Sequence, residues 1–127
     1  MLETRLSLRV VMMPKDTNAL GSIFGGHILS LIDLAATEHA QKEKPARYVT
    51  KIIREVNFRN PVFVGDVVSF YTETLKKGKS SITIKVEVQA LRGVDMVSLH
   101  HVTSAELVLV AVDQNLKPLQ IFNEDSG

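Results

Sequence analysis

Leu6, Leu8, Val10 and Met12 alternate with Arg5, Ser7 and Arg9. That period of two predicts a half-buried strand, stopped by Pro14 and followed by an irregular loop over 15–22. After Gly25-Gly26 the period changes: Ile28, Leu31, Ile32, Ala35 and His39 recur at helical spacing and predict a helix over about 27–41. Leu29, Leu34 and Ala36 fill much of the remaining circumference, so the helix should be buried on several sides, with only its last turn (Glu38, Gln41, Lys42) wet. Beyond Pro45 the pattern is that of strands, at about 48–58, 67–75, 81–91 and 99–112. The clearest is the third of these, where Ile82, Ile84, Val86, Val88 and Ala90 alternate with polar residues. Leu107 to Val112 is apolar on both faces and needs cover on both. The segment from Asn115 to Gly127 is expected to fray.

Strand, helix, then four strands on short connections is an α+β order that favours antiparallel pairing of about five strands. One helix of about fifteen residues, ~22 Å long, cannot cover such a sheet and also bury its own back. Sheet edges would be open as well. A second copy of the chain meets both needs, so a homodimer is the minimal unit expected. With 127 residues, the chain reads as one domain, 1–127.

Composition narrows the function classes. Apolar residues make up 45% and charged residues 23%, which excludes global disorder. Fifteen basic against fourteen acidic residues leave a net charge of +1, so no broad basic field exists for nucleic acid. The chain has no cysteine, hence no disulfide, thiolate nucleophile or zinc finger. The charges within Met1–Arg9 interrupt any signal-peptide core, and no apolar run is long enough to cross a bilayer. A cytoplasmic protein without membrane contact is expected.

Candidate chemistry gathers at the helix entry. The glycines at 25 and 26 allow close approach to the backbone, and the unbonded first-turn N–H groups suit an anion or a developing oxyanion. A tight turn into a buried helix would use the same glycines. Asp33 stands in the most apolar part of the helix, where a carboxylate must be paired, hydrogen-bonded or protonated. It is either a general base or a structural tie to a strand. It lies seven residues past Gly26, ~10 Å along the axis, so the two can act on one carbonyl only from different subunits. The turn Lys76-Lys77-Gly78-Lys79-Ser80-Ser81 is either a phosphate grip or a solvated hairpin tip, and Asn57 and Arg59 can support either. His27 is a candidate first-turn polar group. His39, His100 and His101 show no metal-ligand spacing and are assigned to core or surface.

Met13-Pro14-x-Asp16-Thr17-Asn18-Ala19-x-Gly21-x-Ile23-Phe24-Gly25-Gly26, with Ile28-Leu29, Asp33, Asn57-Phe58, Pro61-Val62-x-Val64-Gly65-Asp66 and Lys76-x-Gly78-Lys79-Ser80-Ser81, resembles the hotdog-fold acyl-CoA thioesterases. The resemblance runs from about Arg5 to Asn115. It implies a long central helix wrapped by a curved antiparallel sheet, and dimers assembled into hexamers or tetramers with active sites between subunits. The implied reaction is hydrolysis of an acyl-CoA thioester to free acid and CoA, without metal or other cofactor. By the same resemblance Gly25, Gly26 and His27 supply backbone donors for the thioester oxygen, and Asn18, Asn57, Arg59, Lys76, Lys79, Ser80 and Ser81 bind substrate. One departure stands out: many relatives carry Asp or Asn where this chain has Ser22. Serine is a poor base, which points to Asp33 as the working base with Ser22 orienting the water. A non-catalytic acyl-CoA-binding protein with the same pocket is the alternative.

Overall fold

A computed structural model of the chain describes residues 4–93 and 98–122. Its elements are β1 (Arg5–Val11), a 3-10 turn (Pro14–Asp16), α1 (Gly25–Glu43), β2 (Arg47–Arg54), β3 (Val67–Lys77), β4 (Ser81–Arg92) and β5 (Ser98–Val112). The five strands form one sheet in the order β1-β3-β4-β5-β2, every neighbouring pair antiparallel. β1 and β2 are its edges. The helix lies across the sheet and touches all five strands.

The alternation in β4 does what its sequence predicts. Ile82, Ile84, Val86, Val88 and Ala90 are buried against Ile28, Ile32, Ala35 and Ala36 of α1, together with Phe70, Leu107 and Leu109. Two expectations change. The second strand ends at Arg54 rather than near Phe58, because Glu55 takes a positive φ of 60° and turns the chain out of the sheet. The helix is not wet at its last turn alone: Gly26, Ser30, Leu34, Glu38 and Lys42, spaced by four, form an exposed stripe along its whole length. Leu34 on that stripe, and Ile52 and Ile53 on the β2 edge, are large apolar residues left open by a single chain.

Residues 115–122 do not trail away as expected. After the tight turn at 113–117, Pro118 pairs with Val112, the Leu119 N–H bonds the Ala111 carbonyl, and Phe122 is buried. The physical cause is apolar: Ile121 and Phe122 extend the core past the end of β5. The final residues, 123–127, lie outside the described residues.

Beneath the C-terminal end of α1 a buried polar network ties three elements. His39, 1% exposed, makes 2.8 Å and 2.7 Å hydrogen bonds through Nδ1 to Thr72 and Nε2 to Thr74. The Thr74 hydroxyl donates to Glu43, so it accepts from Nε2–H. Burial, with Arg5 and then Lys42 and Lys77 nearby and Glu43 opposing them, pushes the imidazole down to about 4. The unfolded chain therefore takes up a proton below about pH 6.5 that the native state refuses, and stability falls as pH drops toward 4. From pH 7 to pH 5 this histidine should remove about 2 kcal/mol. Denaturant melts at fixed protein concentration should show that slope in the wild type and a flatter one in His39→Gln. Equal slopes would mean His39 is protonated in the native state.

Candidate active site

The loop before α1 is closed on itself. The Asn18 side-chain oxygen accepts from the N–H groups of Leu20 and Ser22, and its amide donates to the Ser22 hydroxyl at 3.0 Å. Gly21, at φ 88°, makes the turn between them. Asn18 and Ser22, both proposed site residues, are thus brought together, and the first task of each is to fix the loop. The Ser22 hydroxyl accepts that amide proton and keeps its own proton to donate.

Asp16 holds the other side of the entry. It is buried, accepts from the Met13 N–H and lies 3.5 Å from His27 Nε2. The Met13 hydrogen bond, outweighing burial and aided by Lys15 and His27, holds its carboxyl below the usual range. His27 is in this way anchored over the helix start. At that start Phe24 caps α1 through its backbone alone, accepting from His27 and Ile28, so the His27 N–H is spent within the turn and is not the free backbone donor expected of it. Among the described residues the N–H groups of Gly25 and Gly26 have no partner. A cavity of about 330 Å³ opens beside them, with Ile23, Ile28, Phe58, Pro61 and Val62 as apolar walls and Arg59 at its rim. A Cβ on Gly25 would come to 3.6 Å from the Phe58 ring, an ordinary contact on the wall of this opening. Asn57 touches the core by its backbone, accepting from buried Thr103.

Asp33 is elsewhere. It is half-buried on the face of α1 toward β2, where Thr50 donates a 2.6 Å hydrogen bond to Oδ1. β2 carries a bulge at this point, between Thr50 and Ile52, of the kind that re-aims a side chain beside a site. Among the described residues Oδ2 has no hydrogen-bond partner. Thr50 escaped the sequence reading. Its one signal is a hydroxyl within Tyr48-Val49-Thr50-Lys51-Ile52, on the strand that follows the helix.

The third group, the turn from β3 to β4, lies at the opposite end of α1 from the glycines, since Lys77 at its start forms a 3.5 Å ion pair with Glu43. Lys76 and Lys79 are exposed, Ser80 and Ser81 half-buried. Gly78 is needed here: its N–H bonds the Ser81 carbonyl, and a Cβ would fall 2.5 Å from the Ser81 hydroxyl. One chain thus presents an amide-rich opening, a carboxylate halfway along the helix and a basic turn at the far end, and joins none of the three to another.

The sequence profile of the thioesterase superfamily matches residues 20–97, which span the helix entry, Asp33, Thr50 and the basic turn. The chain belongs to this superfamily. It is similar to an acyl-CoA thioester hydrolase of Haemophilus influenzae, 42% identical over 95% of this chain and 80% of that one. Its structure matches that of a hexameric broad-specificity acyl-coenzyme A thioesterase, crystallised with one aspartate changed to alanine, at TM-score 0.89 and 40% identity over 96% of this chain and 89% of that one. It also matches the acyl-CoA hydrolase of Staphylococcus aureus, solved with butyryl coenzyme A, at TM-score 0.79 and 26% identity over 94% and 70% of the two chains. Alanine variants of that hydrolase have been solved at an aspartate and at a threonine seventeen positions later. Asp33 and Thr50 are separated by 17 positions as well. Among superfamily members this chain has the hotdog arrangement, with one helix wrapped by a five-stranded antiparallel sheet.

Proposed function

We propose that the protein hydrolyses acyl-CoA thioesters to the free acid and CoA. The observation that carries this reading is the Asp33–Thr50 pair: a carboxylate on an apolar helix, with one oxygen held by a hydroxyl and the other left for a water. A carboxylate so oriented is a general base, taking a proton from water as it attacks the thioester carbonyl. The developing oxyanion needs donors, and the unbonded N–H groups of Gly25 and Gly26 at the positive end of α1 supply them. Asp33 lies ~10 Å from its own helix start, so the carboxylate of one subunit works against the opening of another. The exposed Leu34, Ile52 and Ile53 give a second copy an apolar face to cover, in keeping with a homodimer as the unit and with the hexamers of similar thioesterases.

Substrate-binding roles follow the same division. His27, anchored on Asp16, and Asn18 and Ser22 border the opening, with Ser22 keeping a proton to orient the water. Arg59 borders the adjoining cavity, and Asn57 precedes its Phe58 wall. Lys76, Lys79, Ser80 and Ser81 grip the phosphates of CoA. Attack by water on a thioester needs no metal or redox cofactor in this scheme, and the acyl-CoA supplies its own activated leaving group. We place the whole chain, 1–127, in one such domain, and the enzyme in the cytoplasm, where acyl-CoA thioesters are formed and used.

A thiol-release assay across acyl-CoAs of increasing chain length tests the reading. The wild type is expected to release CoA from one or more of them. CoA-dependent thermal stabilisation without thiol release from any would instead establish an acyl-CoA-binding protein.

A further inference from the structure

The chain after β5 returns to the basic turn and holds it. The N–H groups of Ile121 and Phe122 both bond the Lys79 carbonyl, at 2.9 Å and 3.1 Å, and the Ala111 N–H bonds the Ser80 carbonyl at 2.7 Å. The Phe122 side chain is buried to 7% exposure, and its ring lies 5.3 Å from the Lys77 ammonium. Lys77 is in turn 3.5 Å from Glu43, the last residue of α1. The turn is therefore fixed from two sides, by the helix end through Glu43–Lys77 and by the return segment through Phe122 and two main-chain N–H groups. Three lysines in one turn repel one another. Burying the ring under one of them and pairing it with Glu43 confines that lysine to structure, while Lys76 and Lys79 stay on the surface.

We propose that the return segment 118–122 is a positioning element that presets the Lys76–Ser81 turn for the phosphorylated nucleotide of CoA, with Phe122 as its key residue and Lys77 as its strut rather than a phosphate ligand. This rests on the acyl-CoA reading above. Preorganising donors lowers the ordering cost of gripping phosphate, so losing the clamp weakens only substrates that carry the nucleotide. An acyl-pantetheine has the same thioester and pantetheine arm without nucleotide or phosphates, and serves as the internal control.

The test compares wild type, Phe122→Ala and Phe122→Tyr on one acyl-CoA and the matching acyl-pantetheine, with adenosine 3′,5′-bisphosphate binding followed by calorimetry. Phe122→Ala should raise KM for the acyl-CoA by about tenfold with kcat within about twofold, weaken bisphosphate binding to the same degree, and leave acyl-pantetheine kinetics unchanged. Phe122→Tyr, which keeps the ring, should restore the wild-type KM. If Phe122→Ala does not fold, Phe122→Leu retains apolar burial, removes the ring beneath Lys77, and should give the same split at smaller size. Equal effects on both substrates, or none on either, would overturn the clamp while leaving the hydrolase reading intact. A wild type that neither hydrolyses acyl-CoA nor binds the bisphosphate would overturn both.

Discussion

Asp33→Asn should slow thioester hydrolysis by more than about 10²-fold in kcat, the loss expected when a general base is removed from a positioned water. The amide is nearly isosteric and its oxygen can still accept from Thr50, so the helix, the β2 contact and the fold should persist. KM should change little, because the carboxylate meets the attacking water rather than the CoA moiety. Thr50→Val should cost less, about tenfold, since it frees the carboxylate to rotate without removing it. The pair acts as one device, so Thr50→Val placed on Asp33→Asn should cost almost nothing more. A steady-state assay of the four proteins, with circular dichroism to show that each is folded, decides the matter. Turnover by Asp33→Asn within tenfold of wild type would remove Asp33 from the chemistry. A full additional loss in the double variant would show that Thr50 acts independently.

How much of this was legible beforehand depends on the range of the signal. The β4 alternation and the helical spacing of Ile28, Ile32, Ala35 and His39 are local patterns, and they give the elements and the buried face directly. Strand order is not local. That β2 pairs with β5 at one edge, far from β1 in the sheet, joins residues as distant in the chain as Arg47 and Val112. The end of β2 depends on a single positive φ at Glu55, a residue whose type gives no warning of it. Asp33 was legible as a charge among apolar neighbours, and its separation from Gly26 pointed to two subunits. Thr50 was not, because a hydroxyl in a strand is ordinary until the helix places a carboxylate 2.6 Å away. The return of 118–122 was hidden for a similar reason: Ile121 and Phe122 are too short a run to form a pattern, and their burial comes from a distant turn.

Arg92→Met should destabilise the protein by about 2–3 kcal/mol at pH 7, because Arg92 itself is half-buried and the cost is that of leaving the buried Asp66 carboxylate without its main donors. Asp66 is 1% exposed and takes a forked pair of bonds from Arg92, 2.9 Å to Oδ1 and 2.8 Å to Oδ2, with a third from the Phe63 N–H. The same guanidinium reaches the Pro61 carbonyl and lies 4.7 Å from the Phe63 ring, so one side chain pins the whole 61–66 turn to β4. That turn in turn receives the helix entry: Val62 accepts from the Ile23 N–H, and Phe63 bridges to Ser22. Methionine keeps the length and apolar stem of arginine while leaving Asp66 buried with a single donor. Arg92→Lys should recover only part of the loss, because an ammonium cannot reproduce the fork. Acid provides the independent check. Burial works to raise the Asp66 carboxyl, but the Arg92 fork and the Phe63 N–H outweigh it and hold the group below its usual range. Its contribution is therefore complete above about pH 4 and is lost as pH falls through the lower native value. In Arg92→Met burial prevails and the native value rises, so acidification stabilises that site relative to wild type. Denaturant midpoints from pH 7 to pH 3 should show the gap between the two proteins narrowing. A gap below about 1 kcal/mol at pH 7 would place this pair with exposed ion pairs of small effect, and the entry to α1 would then owe its position to the backbone bonds of the turn alone.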